Sequence, residues 1–313
     1  MATELVELYN DLDLQRLRVS RPSKFLFLCG GVVRSGVNAK PENLRDYIYR
    51  VRRMRSPYEV VLAEEATQLY RDTSYGDLIS FEEDIARIAA VVLVIAESAG
   101  SLAELGAFAS NDTIRKALRV MIQEKHETDE SFIRYGPVER VKKTKREYLG
   151  VYPWRAHANG RLIISSVKPH YREIMKFIND HLLSVDHSTA FHRLTDASLF
   201  YIIYWVVYLC LAVTPALLTQ YVMALVPDAI SSDISNKLYC MELAGWLGRI
   251  PYSGQDYFYT CYGDDPFDYS FKSDVRDRDS LRRKLAVSSA LLRTRKLPLH
   301  VRKVASERRS SPK

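Results

Sequence analysis

Glu104 lies in the stretch VVLVIAESAGSLAELGAF, which starts at Val91 with five apolar residues and passes Ser98, Gly100 and Ser101 on the way. The spacing Ser101-x-x-Glu104 is that of a capping box, the reciprocal pairing of side chains and backbone that starts a helix. It has a second use. A carboxylate in the first turn of a helix, beside a glycine-containing loop at the carboxyl end of a strand, faces the mouth of a crevice. The positive end of the helix favours its ionised form. Such a group can attack or stabilise the cationic anomeric carbon of a sugar as its glycosidic bond breaks, as the nucleophile of a retaining glycosidase does. Spacing alone leaves capping and catalysis both open. A second stretch, FLCGGVVRSG from Phe25, runs a short apolar strand into Gly30 and Gly31, where the missing side chains permit a sharp turn or the close approach of a ligand.

These residues need a frame. Apolar runs at 25–29, 59–62, 91–95 and 118–122 alternate with helix-like stretches such as Pro41 to Met54 and Asp77 to Ala90. Strand–helix alternation predicts a parallel sheet with helices on both faces. Ligands of such sheets bind outside the carboxyl ends of the strands, so the Gly30-Gly31 turn and the loop from Ser98 to Ser101 should line one crevice. A last strand is expected at 162–167. Beyond it, Tyr171, Ile174, Ile178 and Leu182 form an apolar helical stripe.

The 313 residues, 47% apolar and 27% charged, suffice for a sizeable core and exclude a disordered chain. Four scattered cysteines, at 29, 210, 240 and 261, show no C-x-x-C pair, so neither a zinc site nor a disulfide framework is indicated. A reducing, cytoplasmic setting is expected. The first residues, MATELVELYNDLDLQRL, lack the basic start and apolar run of a signal peptide. The net charge of +7 is concentrated at the end of the chain: 272–313 holds fourteen Lys and Arg against four Asp and Glu. Its run LRRKLAVSSALLRTRK, with Arg282, Arg283, Lys284, Arg293, Arg295 and Lys296, is a candidate surface for phosphate backbones or a protein partner; a solvated helix face is the plainer reading.

Between Asp196 and Asp228 the chain carries no charge for 31 residues, a length that raises the question of a membrane span. Against a span stand Thr214-Pro215 near its middle, Gln220, and tyrosines spread through its first half. The stretch divides into two helices of about 15 and about 12 residues, with Thr214 as N-cap and Pro215 at the first helical position. A third helix at 232–246 and a hairpin around Ser253-Gly254 follow, which together describe a winged helix. The motif YGDD at 262–265 sits at the end of that hairpin and reads as a polar turn, and His181, His187 and His192 lack the spacing of zinc ligands.

Three motifs in order, FLCGG, AESAGSLAELGAF and SFIRYGPV from Ser131, resemble the nucleoside deoxyribosyltransferase-like effector proteins of bacterial retrons. The resemblance covers about Lys24 to Val138 and continues beyond as layout alone. It implies an α/β, Rossmann-like fold with a parallel sheet and flanking helices, followed by a helical winged-helix-like domain. The implied boundaries are an arm at 1–22, a catalytic domain at 23–167, a helical linker at 168–195, the winged-helix-like domain at 196–263 and a basic tail at 264–313.

The resemblance further implies an antiviral toxin: a hydrolase of the N-glycosidase type that cuts the bond between sugar and base, with NAD or another nucleotide as substrate and neither cofactor nor metal. Its implied partners are the retron reverse transcriptase and multicopy single-stranded DNA with its RNA, which hold it inactive, and a higher-order assembly. Glu104 matches the Glu of the family's G-S-x-x-E-L-G motif and would be the nucleophile. Gly30 and Gly31 would admit ribose and phosphate; Ser98, Gly100 and Ser101 would supply donors at a helix N-terminus. Glu64 and Glu65 match an acidic pair and would hold ribose hydroxyls, where the bland alternative is a solvated helix start. Glu82 and Glu83 are weaker candidates, since a mid-helix carboxylate is usually surface. Tyr135 would stack on a base or simply pack its loop. Ala96 stands where relatives have Pro. Two other readings stay open: a module that senses a nucleotide without cutting it, and a membrane effector acting through 197–227.

Overall fold

A computed structural model describes residues 3–33, 40–53, 58–64, 73–294 and 296–310. The chain divides into two compact units: one holds Lys24–Arg71 and Gly76–Val185, the other Met1–Ser23, Asp72–Tyr75 and Asp186–Lys313.

The first unit is built on five strands: β1 (Phe25–Cys29), β2 (Glu59–Leu62), β3 (Val91–Ile95), β4 (Leu118–Gln123) and β5 (Leu149–Tyr152). All pairings are parallel, in the order β2-β1-β3-β4-β5. Leu26 of β1 is in register with Val60 on one side and Val91 on the other. Every residue of β1 and β3 is buried. A strand covered on both faces has no solvent side to make polar, which is why FLFLC and VVLVI read as unbroken apolar runs.

Among the helices of this unit are α1 (Leu44–Arg53), α2 (Leu78–Ile88), α3 (Ala99–Ser110), α4 (Asp112–Ala117) and α5 (Tyr171–Leu183). Ile174, Ile178 and Leu182 of α5, the stripe expected from the sequence, join Leu26, Leu93 and Trp154 in one core cluster. The strand expected at 162–167 is absent. Ile164–Val167 is a helical turn, and β5 supplies the fifth strand instead. β5 is only LGVY, four residues interrupted by Gly150 and too short to stand out from the charged stretch before it.

In the second unit, Ser198–Cys210 and Pro215–Leu225 are separate helices, and Ser231–Leu243 is a third. Ten of the thirteen residues of Ser198–Cys210 are buried, so its all-round apolar surface is that of a core helix. Its Trp205 stacks on Phe267 at 4.8 Å and donates from Nε1 to the Tyr269 hydroxyl at 2.7 Å. Among the described residues no helix is long and apolar enough to cross a membrane. The strands Leu247–Tyr252 and Gln255–Thr260 pair as a hairpin, and the short strand Ala212–Val213 completes a three-stranded sheet with Gln255–Thr260 in the middle. Ser253 and Gly254 both have positive φ, 50° and 73°, the backbone of a tight two-residue hairpin turn. Helices Ser280–Thr294 and Leu299–Ser310 end the chain.

Candidate functional site

In a sheet of this order, β1 and β3 are neighbours whose connections leave in opposite directions, which opens a crevice beyond their carboxyl ends. Gly30-Gly31 and the loop that starts α3 are at that switch point, as the sequence predicts. Glu97, which sequence reasoning passed over, organises it. Its carboxylate accepts from the backbone N–H groups of Gly31 (3.1 Å), Leu44 (2.8 Å) and Arg45 (3.0 Å). One side chain thereby ties the turn after β1 to the first turn of α1 and satisfies donors that helix starts leave open. Burial raises the Glu97 pKa, and the three N–H donors and Arg45 oppose it.

Arg45, 2% exposed, reaches back under the turn. Its guanidinium donates to the carbonyls of Gly31 (3.0 Å) and Leu28 (2.6 Å) and pairs with Glu64. Glu64 in turn accepts from the Val33 N–H at 3.0 Å. The space beside the two glycines is therefore occupied: a Cβ on Gly30 would lie 2.8 Å from Arg45 Cδ, and one on Gly31 would lie 2.7 Å from Asn43 Nδ2. Asn43 is held by its bonds to Val32 O (2.7 Å) and from Asp46 N (2.8 Å), so it yields little. Gly31→Ala should cost about 1–3 kcal/mol in urea unfolding; an unchanged midpoint would show that Asn43 moves freely.

The helix start differs from the spacing-based expectation. Ser98, not Ser101, is the N-cap of α3; Ser98 Oγ accepts from Ser101 N (3.2 Å), and Ser101 Oγ accepts from Ser98 N (2.9 Å). Glu104 consequently lies in the second turn rather than the first. Relieved of capping, it feels the charges of Arg45 and Glu64 and acts in turn on Glu82 and Cys29. Its Oε2 is buried and has no hydrogen-bond partner. An unpaired buried carboxylate oxygen is costly and calls for a reason. Burial raises the Glu104 pKa; Arg45 opposes this and Glu64 adds to it.

Glu82, 6% exposed on α2, is pushed up to about 8, by burial first and then by Glu104, against Arg45. Because its folded pKa lies above its ordinary value near 4.5, the folded state binds the extra proton between those pH values. Stability from this group is complete below about pH 4.5 and is lost as pH rises through about 8, at no more than about 1.4 kcal/mol per pH unit. Glu82→Gln should flatten the decline of melting temperature between pH 5 and 8; an unaltered slope would place the titration elsewhere. Glu83 behaves differently, pairing with Arg87 at 3.4 Å and accepting from Asn111 at 3.3 Å.

The remaining candidates are more dispersed. A Cβ on Gly100 would meet only Ser98 Oγ, at 4.0 Å, so this glycine borders open space. Tyr135 is 60% exposed, within the wide turn Arg134–Val138, its ring 5.0 Å from the Arg134 guanidinium carbon. Glu65 and Arg295 lie outside the described residues. In the basic tail Arg282 pairs with Asp277, Arg283 with Asp11 at 2.6 Å and Lys284 with Asp265 at 2.9 Å, while Arg293 and Lys296 are exposed. A cavity of about 400 Å³ opens at the carboxyl ends of β3 and β4, lined by Glu97, Ser98, Lys125, His126 and Trp154 among others. Ser98 thus faces this cavity while Glu104, two helical steps past Leu102, belongs to the cluster on the other side of α3. Among the described residues no group of His, Cys, Asp and Glu is arranged to hold a metal ion.

The sequence model of the family described as STM3845 retron effector protein matches residues 41–249, well over half of the chain. The chain belongs to that family. Of curated proteins, this retron effector is 32% identical over 122 residues to the "Retron Ec86 putative ribosyltransferase/DNA-binding protein" of Escherichia coli, covering 38% of the chain and 37% of that relative. It is 29% identical over 122 residues to the "Retron Ec73 putative ribosyltransferase/DNA-binding protein" of the same organism, covering 38% of each. The matched stretch thus spans less than two fifths of the curated relatives' length.

Proposed function

We propose that the chain is a retron effector of anti-phage defence whose first unit, nucleoside deoxyribosyltransferase-like in kind, breaks the N-glycosidic bond of NAD or a related nucleotide with Glu104 as nucleophile. The observation that carries this reading is the buried, unpartnered Glu104 Oε2, which feels the charges of Arg45 and Glu64 and acts on Glu82. The word ribosyltransferase in the relatives' names supports the same bond. In the proposed reaction Glu104 attacks C1′ of the ribose and the base departs with the bonding electrons. From NAD, the pyridinium nitrogen leaves as neutral nicotinamide and needs no proton. Water then opens the glycosyl ester: its oxygen bonds to C1′, the C1′–carboxylate bond breaks, and free ADP-ribose, the carboxylate and one proton released to solvent result. Arg45 favours the ionised form of Glu104 against the burial that raises its pKa, and Glu82, neutral at pH 7, holds a proton for bases that leave as anions. Glu82→Gln should therefore leave nicotinamide release nearly unchanged and cost roughly 10²-fold or more with a purine nucleoside.

The three helices and hairpin of the second unit we read as a winged helix that, with exposed Arg293 and Lys296, contacts nucleic acid or the reverse transcriptase; the DNA-binding half of the relatives' names supports this. A second reading, nucleotide sensing without cleavage, is favoured by the cavity of about 400 Å³ that Glu104 does not line. Chromatography separates the two. The chain is expressed with and without its reverse transcriptase and RNA, before and after infection, and NAD, nicotinamide and free bases are quantified for wild type and Glu104→Gln. Base release confined to wild type supports cleavage; intact pools with an undiminished Glu104→Gln phenotype support sensing.

A further inference from the structure

A recess of the first unit lies away from Glu104. It has about 590 Å³ and opens where β4 begins, whereas Gly30, Ser98 and Glu97 follow the ends of their strands. Its walls include Lys116, Arg119, Lys145, Tyr148, Phe177 and His181. Arg119 is the decisive residue, being 4% exposed on a strand whose other side chains are apolar save Gln123 at its end. Its Nη1 donates to the carbonyls of Lys116 (3.1 Å) and Leu118 (2.9 Å), but its Nε is buried with no hydrogen-bond partner. The guanidinium carbon lies 3.4 Å from the Tyr148 ring centre, which fixes the group as a flat cationic plate.

Around that plate the chemistry is cationic and aromatic together. Lys116 and Lys145 are both exposed at the rim, with Lys145 Nζ 5.7 Å from the Tyr148 ring. His181 sits edge-on to Phe177 (4.6 Å) and Tyr148 (5.6 Å), and its Nε2 meets the Glu147 carbonyl at 2.9 Å. Two carboxylates also border the recess: Glu147, and Asp180, which Lys176 already neutralises. Three fixed cations against one uncompensated carboxylate leave a positive recess. Its volume falls within the range of small-ligand sites.

We propose that this recess is a second ligand site, independent of Glu104, that binds a free nucleotide by its phosphate, with Lys116, Arg119 and Lys145 on the phosphoryl oxygens and the aromatic wall against the base. Charge-assisted and bidentate bonds to phosphate suit an arginine already held flat, and a phosphoryl group satisfies donors that the protein leaves open.

The test is hydrogen–deuterium exchange on the full chain with ADP, adenosine or a 5′-phosphorylated oligodeoxynucleotide, for wild type and the rim double variant Lys116→Glu/Lys145→Glu. Both substitutions are at exposed positions, so the fold is retained. The expected result is ADP protection of 116–120, 145–149 and 177–185, little from adenosine, and an ADP affinity at least about tenfold weaker in the double variant. Protection confined to 29–33 and 97–104, equal protection by adenosine, protection by the oligonucleotide alone, or undiminished affinity in the double variant would each overturn the proposal.

Discussion

Glu104→Gln is expected to lower base release by at least about a thousandfold while the protein stays folded. The amide keeps the shape of the carboxylate but removes the charge that attacks C1′ and offsets the oxocarbenium-like transition state. Stability should survive because Oε2 has no hydrogen bond to lose and because capping of α3 is done by Ser98 and Ser101. Burial already disfavours the charge, so a neutral amide removes a cost rather than a contact. The combination of lost turnover and unchanged melting temperature distinguishes a nucleophile from a structural residue. Turnover at wild-type rate would sink the assignment, and a collapse in melting temperature would make Glu104 a structural group.

Glu97→Ala should have the largest effect on stability, about 3–5 kcal/mol in urea or thermal unfolding. Three backbone N–H groups, of Gly31, Leu44 and Arg45, lose their acceptor at once. Each buried donor left open costs about 1–3 kcal/mol, less where water enters the gap. Gln keeps one acceptor oxygen, so Glu97→Gln should fall between wild type and Ala. A loss below about 1 kcal/mol for Ala would mean that the turn and the helix start hold together without this carboxylate.

The residues most legible in the sequence were those whose burial is simple. FLFLC and VVLVI are apolar throughout because both faces of a parallel strand are covered, EVVL and LRVMI are apolar but for Glu59 and Arg119, and each is a strand where expected. Thr214-Pro215 likewise divides the uncharged stretch into two helices, since Pro fits the first helical position and not the middle. What escaped depends on contacts distant in sequence. Ser101-x-x-Glu104 has the right spacing for a capping box, but Ser98 and Ser101 make the box and release Glu104 to the cluster. Arg45 looks like one more charge on an amphipathic helix until the fold places it beneath Gly31. Glu97 and Arg119 carry no local signal at all: a charged residue beside or within a strand normally reads as surface, and only the three N–H groups or the Tyr148 ring explain these two.

The most direct measurement is peptide mass mapping after exposure to an NAD analogue with a 2′-fluoroarabino sugar, whose fluorine slows breakdown of a glycosyl ester. Used on the chain activated in its natural complex, it traps the nucleophile itself. One glycosyl adduct is expected, on the peptide containing Glu104, absent in Glu104→Gln. Nicotinamide release with the adduct on another residue, or unaltered release from Glu104→Gln, would contradict it.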